Sequence, residues 1–185
     1  MRIAAGAWRG RRLTAPAGGA CRPTLARVRE ALFDRLGLRV CDQTVVDLYA
    51  GAGALGLEAL SRGAAEAWFV ERDAGAFAAL TRNVAALEAE DRCRLVRADV
   101  ARFLAGEAAA VSGVGILFAD PPYARLGADF VARLTSAPAL AWARPAWIVV
   151  ESSCRRAAPD AVSGWCRWEE RVYGETRITI DERGE

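Results

Sequence analysis

From Thr44 to about Glu151 short apolar, β-branched runs alternate with longer segments of helical period, and nothing else in the chain restricts the fold as much. Strands are expected at 44–48, 66–71, 92–97, 114–119 and 146–151, and helices at 55–62, 74–88, 100–106 and 127–135. Such alternation gives a mostly parallel, doubly wound α/β sheet with right-handed crossovers and helices on both faces. The end of the chain breaks the rhythm. Trp165 to Tyr173 and Thr176 to Asp181 are strand-like and meet at a short Gly174 turn, which predicts a C-terminal antiparallel hairpin and seven strands in all. At the other end, Ile3 to Leu13 reads as a short hairpin around Trp8-Arg9-Gly10, and Ala15 to Gly19 as a loop. Thr24 can cap a helix running to about Leu36, with Leu25, Val28, Leu32 and Leu36 on one face and Arg27, Arg29 and Arg35 largely elsewhere. With 185 residues, one domain over 41–185 with a small extension over 1–40 is expected.

Composition removes several chemistries. There is no histidine, so Ser-His-Asp and Cys-His catalysis is excluded and the commonest transition-metal ligand is missing; no metal site is expected. All 25 basic residues are arginine, which excludes a P-loop or Schiff-base lysine. The five cysteines are scattered, with no C-x-x-C pair, and read as reduced thiols. No apolar run approaches the ~20 residues of a membrane span, and the first residues lack the apolar stretch of a secretory signal, so a soluble, cytoplasmic protein without membrane partners is expected. The net charge of +2 hides an asymmetry: residues 1–36 hold eight arginines against two acids, a net +6, and the rest of the chain carries −4. A basic end of this kind serves an anionic partner, most often nucleic acid, or is simply a solvated basic face.

Two segments carry candidate chemistry. Asp47-Leu48-Tyr49-Ala50-Gly51-Ala52-Gly53-Ala54-Leu55-Gly56 follows the first strand of the alternating region and opens a helix, the context a G-x-G-x-x-G nucleotide loop requires. Glu71 ends the next strand, where an acid can accept hydrogen bonds from ribose hydroxyls, and Asp99 follows the third strand at the same sheet edge. Tyr49, Ala50, Gly51, Gly53 and Leu55, with Arg72 and Val100 beside the two acids, complete the expected cofactor contacts. Structural alternatives exist for each: a tight turn at the glycines, an ion pair of Glu71 with Arg72 or Arg82, a helix cap at Asp99. The loop suits both NAD and S-adenosylmethionine. Asp47 favours the latter, because an acid there opposes a pyrophosphate but accommodates a cationic amino-acid moiety.

The second segment is Asp120-Pro121-Pro122-Tyr123, directly after the apolar run Val114 to Ala119. Neither proline has an N–H, so the ladder must stop and the Asp120 carboxylate and Pro121 carbonyl become available acceptors. Two acceptors can bind both hydrogens of an NH2 group, and the Tyr123 ring offers a face for a flat base. The plain alternative is a strand followed by an Asp-Pro turn.

Together these segments resemble class I S-adenosylmethionine-dependent amino-methyltransferases bearing the (N/D/S)PP(Y/F/W) motif, which have a Rossmann-like fold. More narrowly, Gly6-x-Trp8-x-Gly10-Arg11-x-Leu13, Arg22-Pro23-Thr24, Arg27 to Phe33 and Gly53 to Gly63 resemble the bacterial 16S ribosomal RNA guanine-N2-methyltransferase D family over nearly the whole chain. Leu25-Ala26 and Ala52 depart from that family's pattern. The resemblance implies methylation of one guanine N2 in small-subunit rRNA, a guanine-966-type site, by a monomer acting on 16S rRNA or a subunit assembly intermediate. It also implies RNA contacts from Arg9, Arg11, Arg12, Arg22, Thr24, Arg27 and Arg29. DNA adenine-N6 and protein-glutamine methyltransferases share the acceptor motif and remain alternatives, as do an NAD-dependent oxidoreductase and a non-catalytic RNA-binding module.

Overall fold

One seven-stranded sheet organises the computed structural model, which describes residues 1–16, 26–106, 111, 113–122, 134, 145–155, 157–158 and 164–184. Its strands are β1 (Thr44–Leu48), β2 (Glu66–Val70), β3 (Cys93–Val96), β4 (Val114–Ala119), β5 (Trp147–Ser153), β6 (Trp165–Tyr173) and β7 (Thr176–Arg183), in the order β3-β2-β1-β4-β5-β7-β6. The first five run parallel, and β6 and β7 add the antiparallel hairpin. The described α-helices are α1 (Ala26–Leu36), α2 (Ala54–Ser61), α3 (Ala74–Ala86) and α4 (Val100–Ala105), and short 3-10 turns run over Gly37–Val40 and Glu90–Arg92. The 127–135 helix expected from sequence lies outside the described residues, apart from Leu134.

The sheet separates two apolar layers because successive strand residues point to opposite faces. On one face α1, α2 and α3 bring Leu32, Phe33, Leu57, Leu60, Leu80 and Val84 against Val45, Phe69, Phe118 and Val149. On the other, Val100 and Phe103 of α4 meet Val46, Leu48, Leu117 and Val150. Close approach of α2 to β2 requires Gly56, where a Cβ would collide with the Phe69 ring.

The N-terminal segment folds back on itself as expected, with Ile3 N–H donating to the Arg11 carbonyl, Gly10 N–H to the Ile3 carbonyl and Leu13 N–H to the Met1 carbonyl around the antiparallel Arg2–Arg12 bridge, though neither arm is long enough to count as a strand. It belongs to the same core all the same, since Ile3 and Leu13 are buried in the α1–α3 layer. Glu58 of α2 holds it there, accepting from the Ala4 and Ala5 N–H groups at 2.8 and 3.0 Å. Arg92 stacks on the Trp8 ring 4.9 Å from its centroid.

Strand order matters most for the site. The chain steps from β1 outward to β2 and β3, then returns to place β4 on the other side of β1. The crevice at such a switch point, beyond the carboxyl ends of the strands, is where open α/β sheets bind ligands. Here it is flanked by the glycine loop after β1 and by Asp120 after β4.

Candidate active site

The glycine loop has the strained geometry of a ligand cradle. Tyr49, Gly51 and Gly53 all take positive φ, at 62°, 57° and 85°, and the tyrosine adopts this conformation without glycine's freedom. Ala50, Gly51 and Gly53 are buried, Tyr49 is partly so, and Leu55 and Val100 are nearly sealed within the two core layers. Asp47 sits beneath the loop, and its Oδ2 accepts the Gly56 N–H at 2.9 Å, near the start of α2.

Glu71 is tied to this loop directly. Its Oε2 accepts the Gly51 N–H at 2.8 Å and its Oε1 the Asp73 N–H at 2.7 Å. Each carboxylate oxygen has two lone pairs, so both retain acceptor capacity for ribose hydroxyls. Arg72 pairs with Asp99 rather than with Glu71, at 3.5 Å and with both side chains well exposed. Asp99 also caps α4 by accepting the Ala101 N–H at 3.0 Å.

On the β4 side the ladder ends as the prolines require. Asp120 N–H reaches the Leu48 carbonyl at a long 3.4 Å, and Pro121 is buried while Pro122 is exposed. Tyr123 lies outside the described residues. Burial pushes the Asp120 carboxyl well above the usual carboxylate range, and the charges of Glu151 and then Asp47 add to the effect. Asp47 itself is pushed up to about 7 by burial, opposed by the Gly56 hydrogen bond and reinforced by Glu71. Glu151 and Asp47 thus oppose the ionisation of Asp120, and a ligand that brings positive charge relieves that opposition. That requirement fits the sulfonium and ammonium of S-adenosylmethionine and does not fit a pyrophosphate.

Glu151 did not enter the sequence-based site. Its signal was an acid ending the 146–151 strand, but only the β4–β5 adjacency puts it beside Asp120.

Among the arginines expected to meet RNA, Arg9, Arg12 and Arg27 are exposed, and Arg11 is exposed with its guanidinium on the Ala86 carbonyl. Arg22 and Thr24 lie outside the described residues. Arg29 must be withdrawn. It is fully buried in an ion pair with Glu58 at 3.2 Å, both side chains having no exposure, and also donates to the Arg2 carbonyl. Arg29 therefore locks α1, α2 and the N-terminal segment together and presents nothing to a phosphate.

The fold is that of the Rossmann-like methyltransferases that use S-adenosylmethionine. The family model described as conserved hypothetical protein 95 matches residues 1–182, and the chain belongs to that family. Ribosomal RNA small subunit methyltransferase D of Escherichia coli (strain K12) is 37% identical over 184 residues, which is 99% of this chain and 90% of that protein. The solved structure of the yhhF protein of Escherichia coli superposes with a TM-score of 0.84 at 35% identity, covering 100% of this chain and 98% of the other. A T. thermophilus 16S rRNA N2 G1207 methyltransferase, solved with AdoMet and guanosine, gives a TM-score of 0.65 at 25% identity over 90% of this chain and 44% of its own. No helix among the described residues is long and apolar enough to cross a membrane.

Proposed function

We propose that this chain transfers a methyl group from S-adenosylmethionine to the exocyclic N2 of one guanine in small-subunit rRNA. The observation that carries this reading is Asp120-Pro121 at the end of β4, beside the glycine loop across the sheet's switch point. Methyl donor and amine acceptor sites therefore adjoin. The relatives named for small-subunit rRNA methylation supply the RNA, and the guanosine-bound neighbour named for N2 chemistry supplies the atom.

Guanine N2 is a poor nucleophile because its lone pair is delocalised into the ring, so positioning does most of the work. Asp120 and the Pro121 carbonyl accept the two N2 hydrogens, Tyr123 stacks on the base, and the lone pair is aimed along the line of the bond to be broken. Gains from such alignment reach ~7–11 kcal/mol in favourable cases. The bound cofactor supplies an electrophilic methyl on a sulfonium whose leaving form is a neutral thioether. Positive charge in the crevice favours the ionised Asp120, which keeps it an acceptor despite its burial. The methylated nitrogen would be acidic, and Asp120 or water would receive its proton. Asp47 and Glu71 hold the donor by its cationic and ribose ends. Arg9, Arg11, Arg12 and Arg27, with Arg22 and Thr24 between them in sequence, face the rRNA phosphates.

Replacing Asp120 by Ala tests the assignment. Turnover on small-subunit rRNA is expected to fall by at least about 10²-fold, the cost of a misplaced reactant, with S-adenosylhomocysteine binding retained. Unchanged turnover would remove Asp120 from the reaction.

A further inference from the structure

Asp120 and Pro121 grip an amine but do not say which base carries it, because adenine N6 and guanine N2 present the same two hydrogens. The neighbouring atom differs. Beside its amine, guanine has an N1–H donor, whereas adenine and 2-aminopurine have an N1 lone pair. A site selective for guanine needs one more acceptor next to the pair that holds the amine.

The sheet register supplies one. In β4 and β5, Phe118 pairs with Val149 and Ala119 with Val150. Paired residues of neighbouring parallel strands share a face, and successive rungs alternate. Phe118 and Val149 lie in the α1–α3 layer, and Ala119 and Val150 in the opposite one. Glu151 pairs with Ile178 of the α1–α3 layer and so lies on that first face, and Asp120 follows directly on Ala119, the last residue of β4 paired with β5. Asp47 is on that face too, level with Phe118. Glu151 is 6% exposed, so a hydrogen bond made there is shielded from water. Of the charged neighbours acting on the Asp120 carboxyl, Glu151 acts most strongly.

We propose that the Glu151 carboxylate accepts the guanine N1–H while Asp120 and Pro121 hold N2, which makes Glu151 a residue that determines base specificity. The proposal rests on the guanine-N2 reading and adds what Asp120 alone cannot provide. A base with a lone pair at N1 would set two acceptors against each other in a buried site. Sites built to pair a substrate N–H or O–H reject analogues lacking it by large factors.

The test uses small-subunit rRNA assembled with guanine or 2-aminopurine at the target position, since 2-aminopurine keeps the 2-amine and lacks N1–H. Each is methylated by the full-length enzyme and by its Glu151→Gln and Glu151→Ala variants, with S-adenosylhomocysteine binding verifying the fold. Wild type is expected to favour guanine by about 10²-fold or more in kcat/KM. Glu151→Gln, whose amide can donate to an N1 lone pair while its carbonyl can still accept an N1–H, is expected to bring that ratio below about tenfold chiefly by gaining on 2-aminopurine. Glu151→Ala should lose rate on guanine; if it does not fold, the near-isosteric Gln variant decides alone. An unchanged ratio in a folded Gln variant, or a wild type indifferent between the bases, overturns the role of Glu151. A wild type that methylates neither base overturns the guanine-N2 reading and this assignment with it.

Discussion

Asp47 shows how a single residue ties the proposed site to the fold. Its carboxyl is buried under the glycine loop and titrates at about 7, against an ordinary value of 3.8. Between those values the folded protein holds a proton that the unfolded chain has released, so stability falls as pH rises from about 4 to about 7 and levels off above. The slope contributed is at most about 1.4 kcal/mol per pH unit. Asp47→Asn keeps an acceptor for the Gly56 N–H and removes the titration. Urea midpoints at pH 5 and pH 8 are expected to lie closer together in Asp47→Asn than in wild type; an equal separation in both would mean that Asp47 is not the titrating group. The acids at positions 47, 71 and 120 were legible because each stands at or just beyond the carboxyl end of a strand, where spacing alone suffices. Glu151 ends the strand expected at 146–151 but lies inside the observed β5, which runs on to Ser153, and its meaning depends on which strand lies next to β4, which alternation of elements does not set.

Among the elements, β1 and β4 were read at their observed bounds, since dense apolar, β-branched runs flanked by Asp42 or Gly113 and by a loop glycine or proline leave little freedom. β7 runs two residues further than expected because β5 and β6 both continue to pair with it, through Glu182 and Arg183. In α1 the expected apolar face at Val28, Leu32 and Leu36 is buried, but Arg29 and Phe33 are buried with it. Helical period cannot reveal a buried arginine whose carboxylate partner lies 29 residues away in another helix. The same holds for Asn83 of α3, which binds both Thr14 and the Ala52 carbonyl and so joins the N-terminal segment to the glycine loop. Arg29 and the exposed arginines should therefore respond oppositely. Arg29→Ala leaves the Glu58 charge buried with one partner fewer and is expected to cost about 3 kcal/mol in denaturant unfolding, while the salt dependence of RNA binding stays as in wild type. Arg9→Ala or Arg12→Ala should barely change stability and lower that salt slope by nearly one unit per lost phosphate contact. A reduced slope in Arg29→Ala, or unaltered slopes in the others, would reverse these roles.

At the scale of the whole molecule, charge and topology divide the labour. The first 36 residues carry the excess positive charge. Their described part is anchored on α2 and α3 by Glu58, Ser61 and Asn83, next to the glycine loop. The sheet's switch point sets the glycine loop and Asp120-Pro121 side by side, and the C-terminal hairpin extends the sheet beyond β5. The general outline was legible because the alternating pattern and the two motifs were both local; the docking of the basic arm was not, because it depends on partners far apart in the chain. The central claim is tested most directly by giving the enzyme labelled S-adenosylmethionine with small subunits from a strain lacking this activity, and mapping the label on the rRNA. Label at N2 of a single guanine is expected, and label on another atom or base, or none in any state of the rRNA, would contradict it.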